Sequence, residues 1–426
     1  MPIADHPLRF RLANELHARP FPVMQCPGQV AYIAVKQEKD AAKRDRSLDR
    51  DHLLALLDRY GAAHPQPDAT HYSGDIGRYF LKWEQHTEFV TYTVFVSGAG
   101  ARAFDPEIWE VFPDDWLAKA PGVCITSAHI RIDAAPDDPE AIRDDLGTWF
   151  VPESLAASHV LDQSAIIAGD FRIASSGHLH FAIFAHPDTG ERRLGRVVQR
   201  LCEIETYKAM SMLALPRARE ISADLGPIDE ALNRISAEMT ADVAHPDKTL
   251  TKLLSTAAEL ENMMAKAAFR FAATRAYEAI VNQRIAVLRE ERFFGRQTFA
   301  EFMMRRFDPA MRTVKATERR VQSLTDRAIR AGDLLRTRVD VDRSAQNQAL
   351  LESMDRRADL QLRLQKTVEG LSVVAISYYG VNLAVYLLAP VAEAFAISQV
   401  GLTALVTAPV VGLVWLIVRR IRDSME

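Results

Sequence analysis

Two uncharged stretches near the C-terminus constrain this chain more than anything else in it. Residues 371–391 read LSVVAISYYGVNLAVYLLAPV and residues 400–418 read VGLTALVTAPVVGLVWLIV. At about 1.5 Å per helical residue they span roughly 31 and 28 Å, which matches a hydrocarbon core about 30 Å thick. A helix of that length in water carries a polar stripe, and these carry none. The pattern predicts a C-terminal two-helix transmembrane hairpin over residues 371–418. Arg356, Arg357, Arg363 and Lys366 precede it, Arg419, Arg420 and Arg422 follow it, and the connection holds only Glu393. Basic flanks stay on the cytoplasmic side, so both termini, including a basic tail at 419–426, are expected in the cytoplasm. Glu393 is expected on the outer side.

Outside the spans both signs of charge are mixed throughout, and the 426-residue chain as a whole carries a formal net charge of −4. Such a balance offers no electrostatic footprint for nucleic acid, and no nucleic-acid partner is expected. Cys26, Cys124 and Cys202 are odd in number and lack CxxC spacing, which suits reduced thiols and argues against a disulfide framework or zinc site. The opening MPIADHPLRFRLANELHARPFP has no apolar core of the signal-peptide kind, so insertion is expected to rest on the C-terminal spans. GxxxxGK[ST], GxGxxG after a strand, HExxH and GxSxG are all missing, which lowers an enzyme reading.

Over residues 1–190 short apolar runs alternate with turn-rich stretches. Strands are expected at 29–35, 123–132, 165–174 and 179–185, with a hairpin from 79–84 and 89–96, all rich in β-branched and aromatic residues. Leu53, Leu54, Leu56 and Leu57 predict a helix ending at Gly61, and Asp138-Pro139 predicts another running to Leu146. The expected fold class is therefore α+β: an α/β domain with a mixed or antiparallel sheet. No internal repeat is apparent.

Helical composition takes over across 191–370. Helices are expected at 196–215 and 227–243, then two proline-free arms at 247–306 and 310–366, broken by Phe307-Asp308-Pro309. Val321, Leu324, Ala328, Ala331 and Leu335 keep the 3–4 spacing of a coiled-coil seam, so the arms are expected to form a long antiparallel coiled-coil hairpin. Beyond Val341 the seam turns polar. Gly295 and Gly332 are the places where the arms are expected to kink.

Three stretches carry a resemblance. NELHARPF at 14–21, GRVVQRLCEIETYKAMSMLALPRA at 195–218 and TVEGLSVVAISYYGVNL at 367–383 resemble an uncharacterised bacterial family of membrane-anchored proteins, a domain-of-unknown-function family. It implies a soluble N-terminal domain and a C-terminal anchor in the bacterial inner (cytoplasmic) membrane, and it implies no activity. A second resemblance is architectural. A cytoplasmic domain, a long stalk and two C-terminal spans are similar to the CorA-type magnesium channels, and Tyr379-Gly380-Val381-Asn382 is similar to their Tyr-Gly-Met-Asn signature. That resemblance implies Gly380 and Asn382 as a ring recognising a hydrated magnesium or other divalent cation. Val replaces Met here, and the motif falls mid-span instead of at the end of the first span.

Candidate residues follow. Asn382 needs a partner in hydrocarbon and is expected to associate helices, with an ion pathway or a local backbone bond as alternatives. Gly380, with Ser377 and Ala384, allows close backbone approach, and Tyr378, Tyr379 and Tyr386 could line a pore. Repeated in an oligomer, Glu393 would form a carboxylate ring. His178 and His180 share a strand face near His186, a spacing that could hold zinc or nickel. His17, between Glu15 and Arg19, could serve acid–base chemistry or a cap. Asp137, Asp138, Glu140, Asp144 and Asp145 could bind a divalent cation or simply start a helix. Arg192, Arg193, Arg196, Arg200, Arg217 and Arg219 could meet phosphates, though Glu203, Glu205 and Glu220 among them predict a salt-bridged surface. Together these predict an oligomeric structural or interaction protein anchored in a lipid bilayer. The alternatives are a CorA-like divalent-cation channel and a hydrolase, the last with only His17, His178 and His180 behind it.

Overall fold

The computed structural model describes residues 3–15, 21–100, 102–240, 246–394 and 398–423. It divides into two compact units, Met1–Ala241 with Thr251–Ala331, and Asp242–Leu250 with Gly332–Glu426.

The first unit opens with α1 (Arg9–Glu15) and is built on strands β1 (Gly28–Lys36), β2 (His71–Ile76), β3 (Tyr79–Gln85), β4 (Phe89–Ser97), β5 (Val123–Ala134), β6 (Ala156–Val160), β7 (Ala165–Ile173), β8 (Leu179–Ala185) and β9 (Glu291–Arg292). They form a nine-stranded sheet in the order β2-β3-β4-β1-β5-β8-β7-β6-β9. All pairings are antiparallel except β5 with β8, so the sheet is mixed. Every residue of the central β1 is buried.

Three helices lie over one face. In α2 (Arg46–Tyr60), Leu53, Leu56 and Leu57 pack with Ala31, Ile33, Leu81 and Trp83. The helix starts because the Asp45 side chain accepts from the Ser47 N–H, and it ends at Gly61, whose φ of 61° suits a residue without Cβ. The short α3 (Asp114–Leu117) adds Trp116 to the same core. In α4 (Pro139–Trp149), Ile142 and Leu146 pack on Ala168, Ala182 and Phe184, and Asp138 caps the start. The same element order, strand–helix–strand–strand–strand, thus occurs twice. The two copies bury unlike side chains, which is why no repeat is apparent in the residues.

The opposite face receives α5 (Glu191–Met212), through buried Leu194, Val197, Val198, Leu201 and Ile204. It is followed by α6 (Ala214–Thr240), α7 (Pro246–Ala286), α8 (Phe299–Arg306) and α9 (Asp308–Ala394). Three expectations change here. The helix expected at 196–215 is α5, but Pro216 lies in the first turn of α6, where a missing N–H is tolerated, and Pro227 lies inside α6, so the helix expected to start at 227 already begins at Ala214. The arm expected over 247–306 ends at Ala286, although no proline interrupts it. Arg289, Phe294 and Gly295 take left-handed φ values of 51°, 44° and 70°, and Phe293 and Phe299 are buried. Burying two phenylalanines outweighs helix propensity in this stretch. Finally, α9 continues through Gly332 without a break.

Within the first unit the start of α9 is joined to α7 by Lys315–Glu278 at 2.7 Å and Arg275–Glu318, and to α6 by Arg327–Asp229 at 3.1 Å.

In the second unit, α9 and α10 (Gln399–Asp423) supply two helices long and apolar enough to cross a membrane. Leu402 and Val406 are buried against Ala384, Val385 and Val410. A β-carbon on Gly380 would lie 3.0 Å from Val410 Cγ1, so Gly380 permits the approach. The other sides are bare: Tyr386 is 79% and Leu387 72% exposed.

Candidate functional site

The strongest site lies in the first unit, where a sheet face buried by a helix is polar instead of apolar. On the side of the sheet toward α5, β3 presents Lys82 and Glu84, β4 presents Thr91 and Thr93, and β1 presents Tyr32. With Gln199, Cys202, Glu203 and Thr206 of α5 and Arg284 of α7 they line a cavity of about 290 Å³. The Lys82 side chain is only 8% exposed. It meets Glu84 at 3.1 Å and donates to Gln199 Oε1 at 3.1 Å. Gln199 Nε2 donates onward to Glu203 Oε1 at 2.8 Å, and Arg284 Nε donates to Glu203. Four charged groups and one amide thus form a continuous chain around the chamber.

Hydroxyls complete the lining. Tyr32 and Thr206 share a hydrogen bond, and Thr206 also donates to the Cys202 carbonyl at 2.8 Å. Burial raises the Tyr32 hydroxyl well above its ordinary range, and burial likewise raises the Cys202 thiol. Cys202 is therefore a packing residue with little thiolate character. The three cysteines are all free thiols.

Phe21 borders the chamber and also a second cavity of about 420 Å³ near Tyr72, Asp75 and Arg78. Residues 21–24 cross the start of α5: Met24 N–H donates to the Glu191 carbonyl at 3.2 Å, and Pro22 lies against Gly195. The end of NELHARPF and the stretch beginning at Gly195 therefore meet at one place.

Other candidate residues are placed as follows. His17, Arg19 and the side chain of Glu15 lie outside the described residues. His178 stacks on Trp109 with ring centroids 3.5 Å apart and meets Ser127 Oγ at 2.9 Å, while His180 stacks on Phe104 at 4.1 Å. His129, which the residue pattern does not single out, pairs in register with His180 and bonds Gln29 at 3.0 Å. Burial, then the neighbouring His180, holds His129 down to about 3, and burial holds His178 down to about 4. The trio is neutral and aromatic-packed near neutral pH. Among the described residues no group of three or more His, Cys, Asp or Glu side chains could hold a metal ion.

In the acidic run, Asp138 caps α4, accepting from the Glu140 N–H at 2.9 Å, and Arg143 pairs with Glu140 and Asp144. Of the arginine run, Arg217 pairs with Glu220 at 2.9 Å. Glu203 faces the chamber instead, and the buried Glu205 takes Lys208 at 2.6 Å and Thr126 at 3.1 Å. The acids interspersed in sequence are thus largely turned inward.

In the second unit Asn382 is exposed, and its Nδ2 donates to the Tyr378 carbonyl one turn back at 3.1 Å. Tyr378 and Tyr379 pack edge to face, both exposed, and Glu393 is exposed near the end of α9. Ser377 is buried, and its hydroxyl has no hydrogen-bond partner among the described residues.

Compared with curated proteins, the chain shows no match. A family profile does match it, over residues 4–425, and carries the description "Protein of unknown function (DUF3422)". The chain belongs to that family of unknown function.

Proposed function

We propose that this protein is an oligomeric interaction protein anchored in the bacterial inner membrane by α9 and α10, with both termini in the cytoplasm. The observation that carries the reading is the distribution of charge over residues 347–371 of α9. Leu350, Met354, Leu364, Val368 and Leu371 recur at spacings that fit one heptad seam, and all are between 53% and 66% exposed in the single chain. Leu351 and Leu360 flank them, also exposed. Glu352, Asp355, Arg356, Asp359, Arg363, Lys366 and Glu369 all fall on the remaining positions. Arg357 is the one charge on the seam.

An unpaired helix with that stripe leaves its apolar side in water. Copies anchored by the same spans enter the bilayer in one direction, so the stripe meets its own copy in parallel. Asn347 and Gln361 then face their like at matching height, the arrangement by which polar seam residues set register. Val321, Leu324 and Ala328, all buried, fit the intrachain coiled-coil hairpin between α7 and the start of α9 that completes this reading. The bare outer sides of the spans suit contact with lipid or with neighbouring copies.

A cysteine-scanning experiment tests it. In a chain freed of Cys26, Cys124 and Cys202, single cysteines at 350, 354, 361, 364 and 368 are expected to cross-link between copies, and cysteines at 352, 359 and 366 are not. Absence of cross-linking at every position overturns the reading. Divalent-cation flux in liposomes that disappears in Asn382→Leu replaces it with a channel.

A further inference from the structure

We infer that the polar chamber beneath α5 binds a small zwitterion of the α-amino-acid class. The inference stands on the first unit alone and does not depend on self-association.

The chamber is unusual for what it buries. Helix-covered sheet faces are ordinarily apolar, and a buried ion pair stabilises a fold no better than well-packed apolar residues of the same volume. Here Lys82, Glu84, Glu203 and Arg284 surround open space instead of closing it. Polar groups converging on a cavity that also has an apolar wall are the ordinary signature of a ligand site.

The arrangement also selects the ligand. Two cations and two anions line the chamber, so its formal charge is balanced. Lys82 already pairs with Glu84 and Arg284 with Glu203, so a lone anion or a lone cation would add one unbalanced charge to a neutral, partly buried set. A zwitterion does not: its carboxylate takes Lys82 and Arg284, and its ammonium takes Glu84 and Glu203. Gln199, already bonded to Lys82 and Glu203, fixes the spacing between the two halves. A cavity of about 290 Å³ suits a free amino acid, and it sits at the small end of ligand pockets, which run from about 300 Å³ upward. Phe89, Phe95 and Tyr207 supply an apolar wall for a side chain, and Phe21, 51% exposed, stands at the solvent side.

The experiment is a thermal-shift panel on the full chain in nanodiscs. The common L-α-amino acids are tested, each beside its decarboxylated amine and its deaminated acid. At least one amino acid is expected to raise the melting temperature by several degrees while its two half-analogues do not. Titration calorimetry of that amino acid is then expected to show at least a 10-fold loss of affinity in Arg284→Gln, at a position whose side chain is 33% exposed, and in Lys82→Met. Failure of every amino acid to shift the wild-type chain overturns the inference. So does an equal shift from an amine or acid alone, or an affinity unchanged in Arg284→Gln.

Discussion

A β-carbon on Gly195 would lie 1.8 Å from the carbonyl oxygen of Pro22. No side chain fits that gap, so the segment 21–24 and the first turns of α5 can meet only because residue 195 is glycine. Gly195→Ala is expected to push the segment away and to destabilise the first unit by about 1–3 kcal/mol, the range for overpacking. Urea denaturation followed by tryptophan fluorescence measures it. Gly226→Ala, inside α6 where a β-carbon meets nothing within 4 Å, is the control and is expected to stabilise by up to about 1 kcal/mol.

Arg44 and Asp49 form an ion pair at 2.9 Å with both side chains 2% exposed. Arg44 also donates to the carbonyls of Ala41, His86, Thr87 and Phe89 at 2.6–3.1 Å, stitching the start of α2 to the β3–β4 turn. Asp49→Ala leaves the guanidinium buried without its counter-ion and is expected to cost about 3–5 kcal/mol. The double variant Arg44→Met with Asp49→Leu is not expected to recover the loss, because four carbonyls lose their guanidinium donor. Equilibrium denaturation of the two variants beside the unchanged protein checks both statements.

Acid is expected to unfold the first unit partly through His129. Its folded value of about 3 lies below the ordinary value of 6.5. The unfolded chain therefore takes up the proton first as pH falls. The stability linked to this group is present above about pH 6.5 and is lost between there and about pH 3, at up to about 1.4 kcal/mol per pH unit. His129→Gln, which retains an amide for Gln29, is expected to flatten the stability–pH profile in that window. An unchanged slope would assign the acid sensitivity elsewhere.

In the spans, Gly380 is the contact point with Val410. Gly380→Leu is expected to force α9 and α10 apart, while Tyr386→Leu, at a position 79% exposed, leaves their packing unchanged. Disulfide formation between cysteines placed at 384 and 406 reads the difference: it is expected to fall several-fold in the first variant only.

Much of the fold is legible in the residues, for identifiable reasons. The strands at β3, β4, β7 and β8 are dense in aromatic and β-branched side chains, α2 shows its leucines and Gly61, and α4 shows Asp138-Pro139. β2 (HYSGDI) and β6 (AASHV) escape because small and polar residues dominate them and tertiary pairing alone makes them strands. The end of α7 at Ala286 escapes for a similar reason: the segment is pulled to the sheet by Phe293 and Phe299, and nothing local stops the helix. The chamber is hidden more thoroughly. Lys82 and Glu84 alternate with Leu81 and Trp83, a pattern that reads as a solvent-facing strand side, and only the docking of α5 turns it inward. The one available signal was the pairing of polar strands with a helix carrying Gln199 and Glu203 toward the same side.

The most direct test of the central claim, self-association of a membrane-anchored chain, is native mass spectrometry of the full protein released from nanodiscs. The account predicts a mass equal to two or more copies, falling to a single copy when Leu350→Glu and Leu364→Glu place carboxylates on the seam. A wild-type protein that runs as a single copy would contradict it.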